Sequence, residues 1–373
     1  MSSLLATTGP VLVWGTGLIG TSIALALRGG GVTVYLRDIS PTSLALAADM
    51  GAGVPVDEVE EPTPALVVVA APPDVAAGCV IEALREYPRA VVTDVASVKK
   101  NVEDAVEAAA LDSDLSRYVG SHPMAGRERS GAGYAVQDLF YGQPWVIVPT
   151  ARSAPESVLA VRNLAVDLGA VPLEMTPAAH DEAVAYVSHV PQLISSLLAG
   201  RLLAAPGEAL ALAGQGLRDT TRIASSDPRL WTAIIAGNAG PIARILDDLG
   251  DDLQLLVERL RRFDEGNPGA VGIISEVMTA GNRGQSRIPG KHGGAQRRWA
   301  EIEVMVPDQP GALAQLFGDF GTAEINIEDL TLEHASGRRF GIATIMVDPA
   351  NLLQAVDELE ARGWRILSSG GVE

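Results

Sequence analysis

From residue 10 to about 174, short apolar runs alternate with alanine-rich stretches. The runs are VLVWG (11–15), VTVYLRD (32–38), ALVVVAAP (65–72), AVVTDVAS (90–97), YVGSHP (118–123), WVIVPT (145–150) and VPLEM (171–175). Apolar residues follow one another without polar alternation, as in strands covered on both faces of a mainly parallel sheet. Strands and helices in turn predict a doubly wound α/β domain over residues 1–175. Residues 176–281 lose the strand signal. Long stretches such as 180–205 and 240–266 carry helical periodicity instead, which predicts an all-α domain. Its wide apolar faces exceed what one layer needs, so a helical dimer interface is expected. Residues 282–298 hold glycines and five cations (Arg283, Arg287, Lys291, Arg297, Arg298) with no acid, which reads as a flexible, solvated linker. Residues 299–373 read as strand, helix, strand, strand, helix, strand, a βαββαβ ferredoxin-like unit.

Composition narrows the function classes. The chain of 373 residues is 47% hydrophobic and 20% charged, enough to build packed cores in two or three domains. A net charge of −18 argues against a nucleic acid or an anionic membrane as partner, because phosphate binding needs clustered Lys and Arg. The single cysteine, Cys79, rules out an internal disulfide and reads as a small packed residue in a reducing compartment. Five histidines lack zinc-type spacing, so no metal is expected. The apolar stretch 11–27 is interrupted by glycines and preceded by no cation. It is not a signal sequence, and a cytoplasmic location is expected.

VLVWGTGLIGTS carries Gly15, Gly17 and Gly20 as G-x-G-x-x-G, between the first strand and a helix that opens with Leu18 and Ile19. Such glycines permit a tight turn, close approach to a pyrophosphate and close helix–strand packing, so a Rossmann-type cofactor site is expected. The plain alternative is that they only pack a helix on a sheet. Asp38 ends the second strand, where a carboxylate accepts from ribose hydroxyls and repels a 2′-phosphate. It predicts NAD over NADP, although the adjacent Arg37 would suit a phosphate. Thr21 follows the motif, where relatives often carry glycine, and is expected to fit.

Five motifs, the glycine turn among them, occur in order: GTGLIGTS, DVASVKK, GSHPMAGRERSG, HDEAVAYVSHVPQ and LRDTTRIASSDPRLW. Together they resemble the prephenate dehydrogenase family over roughly residues 10–280. The resemblance implies NAD-dependent oxidative decarboxylation of prephenate to 4-hydroxyphenylpyruvate, on the route to tyrosine. That chemistry asks for a base at the ring hydroxyl, cations at two carboxylates, and no metal. His122 is the candidate base, because an imidazole titrates near neutrality. Ser97 is similar to a family serine that contacts this histidine and the reacting hydroxyl; capping the helix that follows is its ordinary alternative. Arg222 is the candidate clamp for a substrate carboxylate, against an ion pair with Asp219 or Asp227. His189 resembles a family histidine near the side-chain carboxylate, and Glu128 one that gates the pocket mouth. Core packing competes for His189, and simple solvation for Glu128. Trp231 completes the pocket or packs the helical interface.

VPDQPGALAQLFGDFGTAEINIEDL is similar to ACT-type amino-acid-sensing domains. The resemblance implies an effector between paired domains, with Asp308, Gly311 and Asn326 as candidate contacts and tyrosine as the expected feedback inhibitor. Two other readings stand beside prephenate oxidation. One is the same chemistry on arogenate, whose side chain carries an ammonium; the other is a catalytically silent amino-acid sensor. Hydroxyacid dehydrogenases of similar build typically use a lysine base from the helical domain, and no lysine lies between Lys100 and Lys291.

Overall fold

The computed structural model describes residues 5–126, 131–264, 271–288, 299–334 and 340–371. The first half is β1 (Val11–Trp14), α1 (Leu18–Gly29), β2 (Val34–Arg37), α2 (Pro41–Asp49), β3 (Val54–Pro55), β4 (Leu66–Val69), α3 (Pro73–Glu86) and β5 (Val91–Asp94). These strands form a parallel sheet in the order β3-β2-β1-β4-β5. Val11, Val13 and Val68 face one core, while Leu12, Trp14, Val67 and Val69 face the other. Both faces are covered by helices, which is why the runs do not alternate. Each buried Val or Leu contributes about 1.5–3 kcal/mol. The expectation missed the two-residue β3.

After α4 (Lys100–Ala109) and the single turn α5 (Asp112–Leu115) come β6 (Val119–Pro123), β7 (Pro144–Pro149), α6 (Pro155–Asp167) and β8 (Val171–Glu174). They make a second sheet, β6-β7-β8, in which β6 runs antiparallel to β7. A parallel bridge between Val92 and Tyr118 sets β6 beside β5, so both strands run in the same direction.

The helical segment opens with α7 (Pro177–Val184), capped by the Thr176 hydroxyl on Ala179 N. A π turn over Ala185–His189 joins it to α8 (Val190–Arg201). Then follow α9 (Gly207–Leu210), α10 (Gln215–Thr221), a 3-10 turn (Arg222–Ser225), α11 (Pro228–Gly237) and α12 (Ala239–Asp264). Leu249, Leu253, Val257 and Leu260 stand exposed along α12 at helical spacing. Residues 1–252 pack as one compact unit and 253–373 as another. Bonds cross residue 175 within the first unit: Asn101 Nδ2 donates to Gly237 O (2.8 Å), and Lys99 N donates to Asp181 Oδ1 (2.8 Å). Helices and α/β sheet therefore close around one set of residues.

In the second unit α13 (Val271–Gln285) runs through residues 282–285, so the stretch expected to be linker begins as helix; nothing breaks the helix before its apolar positions end. Beyond it lie β9 (Ala300–Pro307), α14 (Ala312–Thr322), β10 (Asp329–His334), β11 (Phe340–Val347), α15 (Leu352–Ala361) and β12 (Arg365–Gly371). The order is βαββαβ, and the antiparallel sheet runs β10-β11-β9-β12. Ala300, Ile302, Val304 and Val306 turn inward at every second position onto Leu316, Phe320, Ala355 and Leu359. Among the described residues no helix is long and apolar enough to cross a membrane, and no group of three His, Cys, Asp or Glu could hold a metal ion.

Candidate active site

The turn after β1 sits where the strand order reverses, between β1 and β4, the usual crevice for a ligand in such sheets. Its three glycines serve three separate needs. Gly15 has φ +107°, and a Cβ there would lie 2.4 Å from Ala70 O on the neighbouring strand's exit. A Cβ on Gly20 would lie 1.9 Å from Gly15 O, so only glycine lets α1 start against the turn. A Cβ on Gly17 meets nothing within 4 Å, so this glycine is not required for packing. The open space there, at the N-terminus of the twelve-residue α1, fits the phosphates of a dinucleotide. Leu18 is buried in the core and Ile19 packs against it, so both hold the helix rather than face solvent. Thr21 fits by donating its hydroxyl to Thr16 O at 3.0 Å.

Asp38 braces the same turn. Its Oδ2 accepts from Thr16 N (2.6 Å) and Thr16 Oγ1 (2.9 Å), and its Oδ1 from Ser40 N (2.7 Å). The carboxylate is thereby aimed beside the glycine turn. Arg37 lies over the Trp14 ring and pairs with Glu86 (2.6 Å) and Glu82 (3.3 Å) on α3.

His122 stands on β6, toward the same carboxyl edge of the strands. Its Nδ1 is 2.9 Å from Nε2 of His180 on α7, a partner the sequence reading did not single out. His180 is fully buried, and its Nδ1 is 2.8 Å from Asp181 Oδ1. Asp181 in turn accepts from Lys99 N (2.8 Å) and Lys100 N (2.9 Å). It therefore satisfies two unpaired donors at the start of α4 from more than eighty residues away. Burial raises the Asp181 carboxyl, but the His180 and backbone hydrogen bonds outweigh it and leave it below its usual range. Burial, with the nearby charges of His180, Lys99 and His189, holds the His122 imidazole well below its usual titration range. A neutral His122 is a proton acceptor at neutral pH.

Beneath these residues lies a buried ion pair. Lys99 Nζ contacts Asp94 Oδ1 and donates to Ser121 O at 2.8 Å, one residue before His122. Tyr118 OH donates to Asp94 Oδ2 at 2.8 Å. Burial lowers the Lys99 pKa, against the pull of Asp94. The pair ties β5, β6 and the α4 start to one another.

His189 ends the π turn. On a regular helix of 3.6 residues per turn, residues 180 and 189 lie about two and a half turns apart and face opposite ways. The π turn underwinds the segment, and both are buried. Asn238 Nδ2 donates to Asp181 O (2.7 Å) and meets His189 Nδ1 at 3.1 Å. With Nδ1 accepting, a neutral His189 carries its proton on Nε2. Burial, reinforced by His180 and opposed by Asp181, takes its pKa down to about 4. Trp231 meets the His189 ring edge to face at 6.2 Å. Arg222 opens the exposed 3-10 turn, which Gln192 of α8 holds by donating to Ile223 O (2.9 Å). Asp219 accepts from Gln215, and Asp227 caps α11.

Ser97 lies just past β5, half-buried, with no side-chain hydrogen bond among the described residues. It does not cap α4, whose N-cap position is Lys99; Asp181 supplies that function. Glu128 lies outside the described residues. In the second unit, Gly311 adopts the left-handed conformation (φ +88°) at the N-cap of α14, with Asp308 exposed before it. Asn326 lies beyond the other end of α14 and lines an open groove of about 500 Å³ with Phe317, Phe320, Ile325, Ile327 and Leu330. Within one chain these candidates are separated by the length of α14, about 16 Å at 1.5 Å per residue.

Residues 23–174 match the nucleotide-binding domain of prephenate dehydrogenase, 176–267 its dimerization domain, and 300–363 an ACT domain. A probable prephenate dehydrogenase of Streptomyces niveus is 35% identical over 360 residues, covering 95% of this chain and 98% of its own length. The crystal structure of Aquifex aeolicus prephenate dehydrogenase with hydroxyphenyl propionate and NAD+ aligns with a TM-score of 0.65 at 28% identity, over 74% of this chain and 98% of that one. Synechocystis arogenate dehydrogenase aligns at 0.59 and 27%, over 74% and 99%. The motifs, the fold of each part and these likenesses agree, and the chain belongs to the prephenate dehydrogenase family, with an ACT domain at its C-terminal end.

Proposed function

We propose that the chain oxidises and decarboxylates prephenate to 4-hydroxyphenylpyruvate with NAD, as a cytoplasmic homodimer in tyrosine biosynthesis. The observation that carries this reading is His122 at the carboxyl edge of the strands, with His180 and Asp181 in a hydrogen-bond chain behind it. Bound NAD supplies the hydride acceptor, held by the glycine turn and by Asp38 through its ribose. His122 Nε2 takes the proton of the ring hydroxyl as that carbon becomes a carbonyl, and Ser97 orients the hydroxyl. Carbon dioxide leaves next, and the ring becomes aromatic. Arg222 pairs with one substrate carboxylate, and neutral His189 donates its Nε2–H to the other. Trp231 walls the pocket, and Glu128 guards its mouth. The exposed apolar stripe of α12 and the likeness to a dimerization domain support the homodimer.

The test is NADH formation by purified protein, with prephenate and arogenate offered separately. Turnover of prephenate supports the reading. Preference for arogenate moves the substrate to the amino acid, a reading favoured by the likeness to the Synechocystis enzyme. No turnover of either leaves a sensor. With His122→Asn, turnover is expected to fall about 10²–10⁴-fold, the range of a positioned general base. With Arg222→Gln, the KM for substrate is expected to rise about tenfold or more.

Regulation by tyrosine is part of the same proposal. Asp308 and Gly311 lie too far from Asn326 in one chain to share a small amino acid, so an effector touching all three bridges two ACT domains. Asp308→Ala and Asn326→Ala are each expected to abolish inhibition while leaving the uninhibited rate unchanged.

A further inference from the structure

Nothing local in the sequence assigns a role to His180 or Asp181, yet both lie in the hydrogen-bond chain behind His122. Asp181 can only accept at its carboxylate, where two backbone N–H groups and His180 already converge. His180 Nδ1 must therefore carry a proton. In a neutral His180, Nε2 is then a lone-pair acceptor, and its neighbour at 2.9 Å is His122 Nδ1. His122 Nδ1 has to be the donor, so its second nitrogen, Nε2, is left without a proton. That is the tautomer a base needs.

We propose that His180 and Asp181 are positioning residues that lock His122 as the Nδ1–H tautomer and brace the imidazolium formed during turnover. The proposal rests on the reading of His122 as the base. Every hydrogen bond runs in one direction, from substrate hydroxyl to His122, from His122 to His180, and from His180 to Asp181. When Nε2 gains the hydroxyl proton, the His122 Nδ1–H stays in place on His180 Nε2, so the charge that forms meets a lone pair at once. No bond to His180 or Asp181 is made or broken. The rings meet nearly edge to face (71°, centroids 5.1 Å), a crossing compatible with an in-plane N–H directed at the partner nitrogen. The titratable groups facing His122 are His180, Lys99 and His189, with Asp94 behind Lys99. Among the described residues only His180 is hydrogen-bonded to the His122 ring, so His180 alone selects the tautomer.

The experiment combines kinetics on full-length variants with long-range ¹H–¹⁵N imidazole spectra of the wild type. The spectra are expected to show His122 protonated on Nδ1 at neutral pH. His122 protonated on Nε2 would overturn the proposal, because it would mean a doubly protonated His180 driving the chain in reverse. His180→Phe removes the acceptor and is expected to lower kcat between about tenfold and 10²-fold, with KM within about twofold. His180→Gln, whose amide oxygen reaches a similar place, is expected to recover most of that loss. In a His122→Asn background His180→Phe is expected to change kcat by less than about twofold. An equal loss in both backgrounds would make His180 merely structural and overturn the proposal. Unimpaired His180→Phe beside an impaired His122→Asn would overturn the proposal alone. Unimpaired His122→Asn would instead overturn the reading of the base, and the spectra would still report whether the chain of hydrogen bonds exists.

Discussion

The guanidinium of Arg37 lies 3.9 Å above the Trp14 ring centroid, and two glutamates of α3 hold it there. The cation beside Asp38 is thus engaged on the sheet and on α3, with the carboxylate left at the glycine turn. NAD is expected to exceed NADP by about 10²-fold in kcat/KM. Asp38→Ser is expected to raise the KM for NAD about tenfold or more, the loss of a charge-assisted hydrogen bond of about 1.5–3 kcal/mol. Adding Glu82→Ala and Glu86→Ala frees Arg37 for a 2′-phosphate. In that triple variant the KM for NADP is expected to fall about tenfold relative to Asp38→Ser alone. Initial rates with each cofactor decide it.

The glycine turn makes a paired prediction. Gly20→Ala forces a methyl to 1.9 Å from a backbone oxygen and is expected to lower the melting temperature by several degrees or prevent folding. Gly17→Ala is expected to melt with the wild type, because its methyl meets only open space, yet to raise the KM for NAD. Thermal melts beside cofactor titrations separate the two.

Lys99 and Asp94 have almost no exposed surface. Replacing one member of such a pair leaves an uncompensated charge and costs about 3–5 kcal/mol. Lys99→Met is therefore expected to lose that much in denaturant unfolding. Lys99→Met with Asp94→Asn is expected to recover part of it, since the orphaned charge goes too.

Stability should also depend on pH in a defined direction. An unfolded histidine binds its proton near pH 6.5, whereas folded His189 binds it only near 4 and His122 well below its usual range. The unfolded chain therefore holds more protons between about 6.5 and 4, and stability falls as pH drops through that window. The Asp181 carboxyl acts in the same direction but only below about 3.9, the unfolded value. Melting temperatures at pH 7.5 and 5.0 are expected to differ less in His189→Asn than in the wild type. An equal difference would sink the assignment of His189 as a buried neutral imidazole.

Local chemistry was legible in the sequence, and long-range partnership was not. Gly15, Gly17, Gly20 and Asp38 lie within a single strand–turn–helix–strand, so spacing alone pointed to them. The βαββαβ order of the last unit followed from alternation such as that of β9. His180 and Asp181 lie in the same motif as His189, but nothing in their spacing marks them. Their partners lie 58 and 81–82 residues away, a distance no helical or strand period encodes. A His-Asp pair in the middle of α7 was the available signal. The capping alternative for Ser97 fails for a related reason: a serine ahead of a helix is an ordinary cap, but the donors it would have satisfied already have a carboxylate from α7.

Asp181 gives one carboxylate two dependents, the first turn of α4 and the ring that backs His122. Fraying of that helix end and disarming of the base are therefore a single event. A chain that has lost turnover through this carboxylate has also lost a piece of secondary structure. In a denaturant titration, enzymatic rate and helical ellipticity should decay along one curve, leaving no well-formed but idle species for a cell to accumulate.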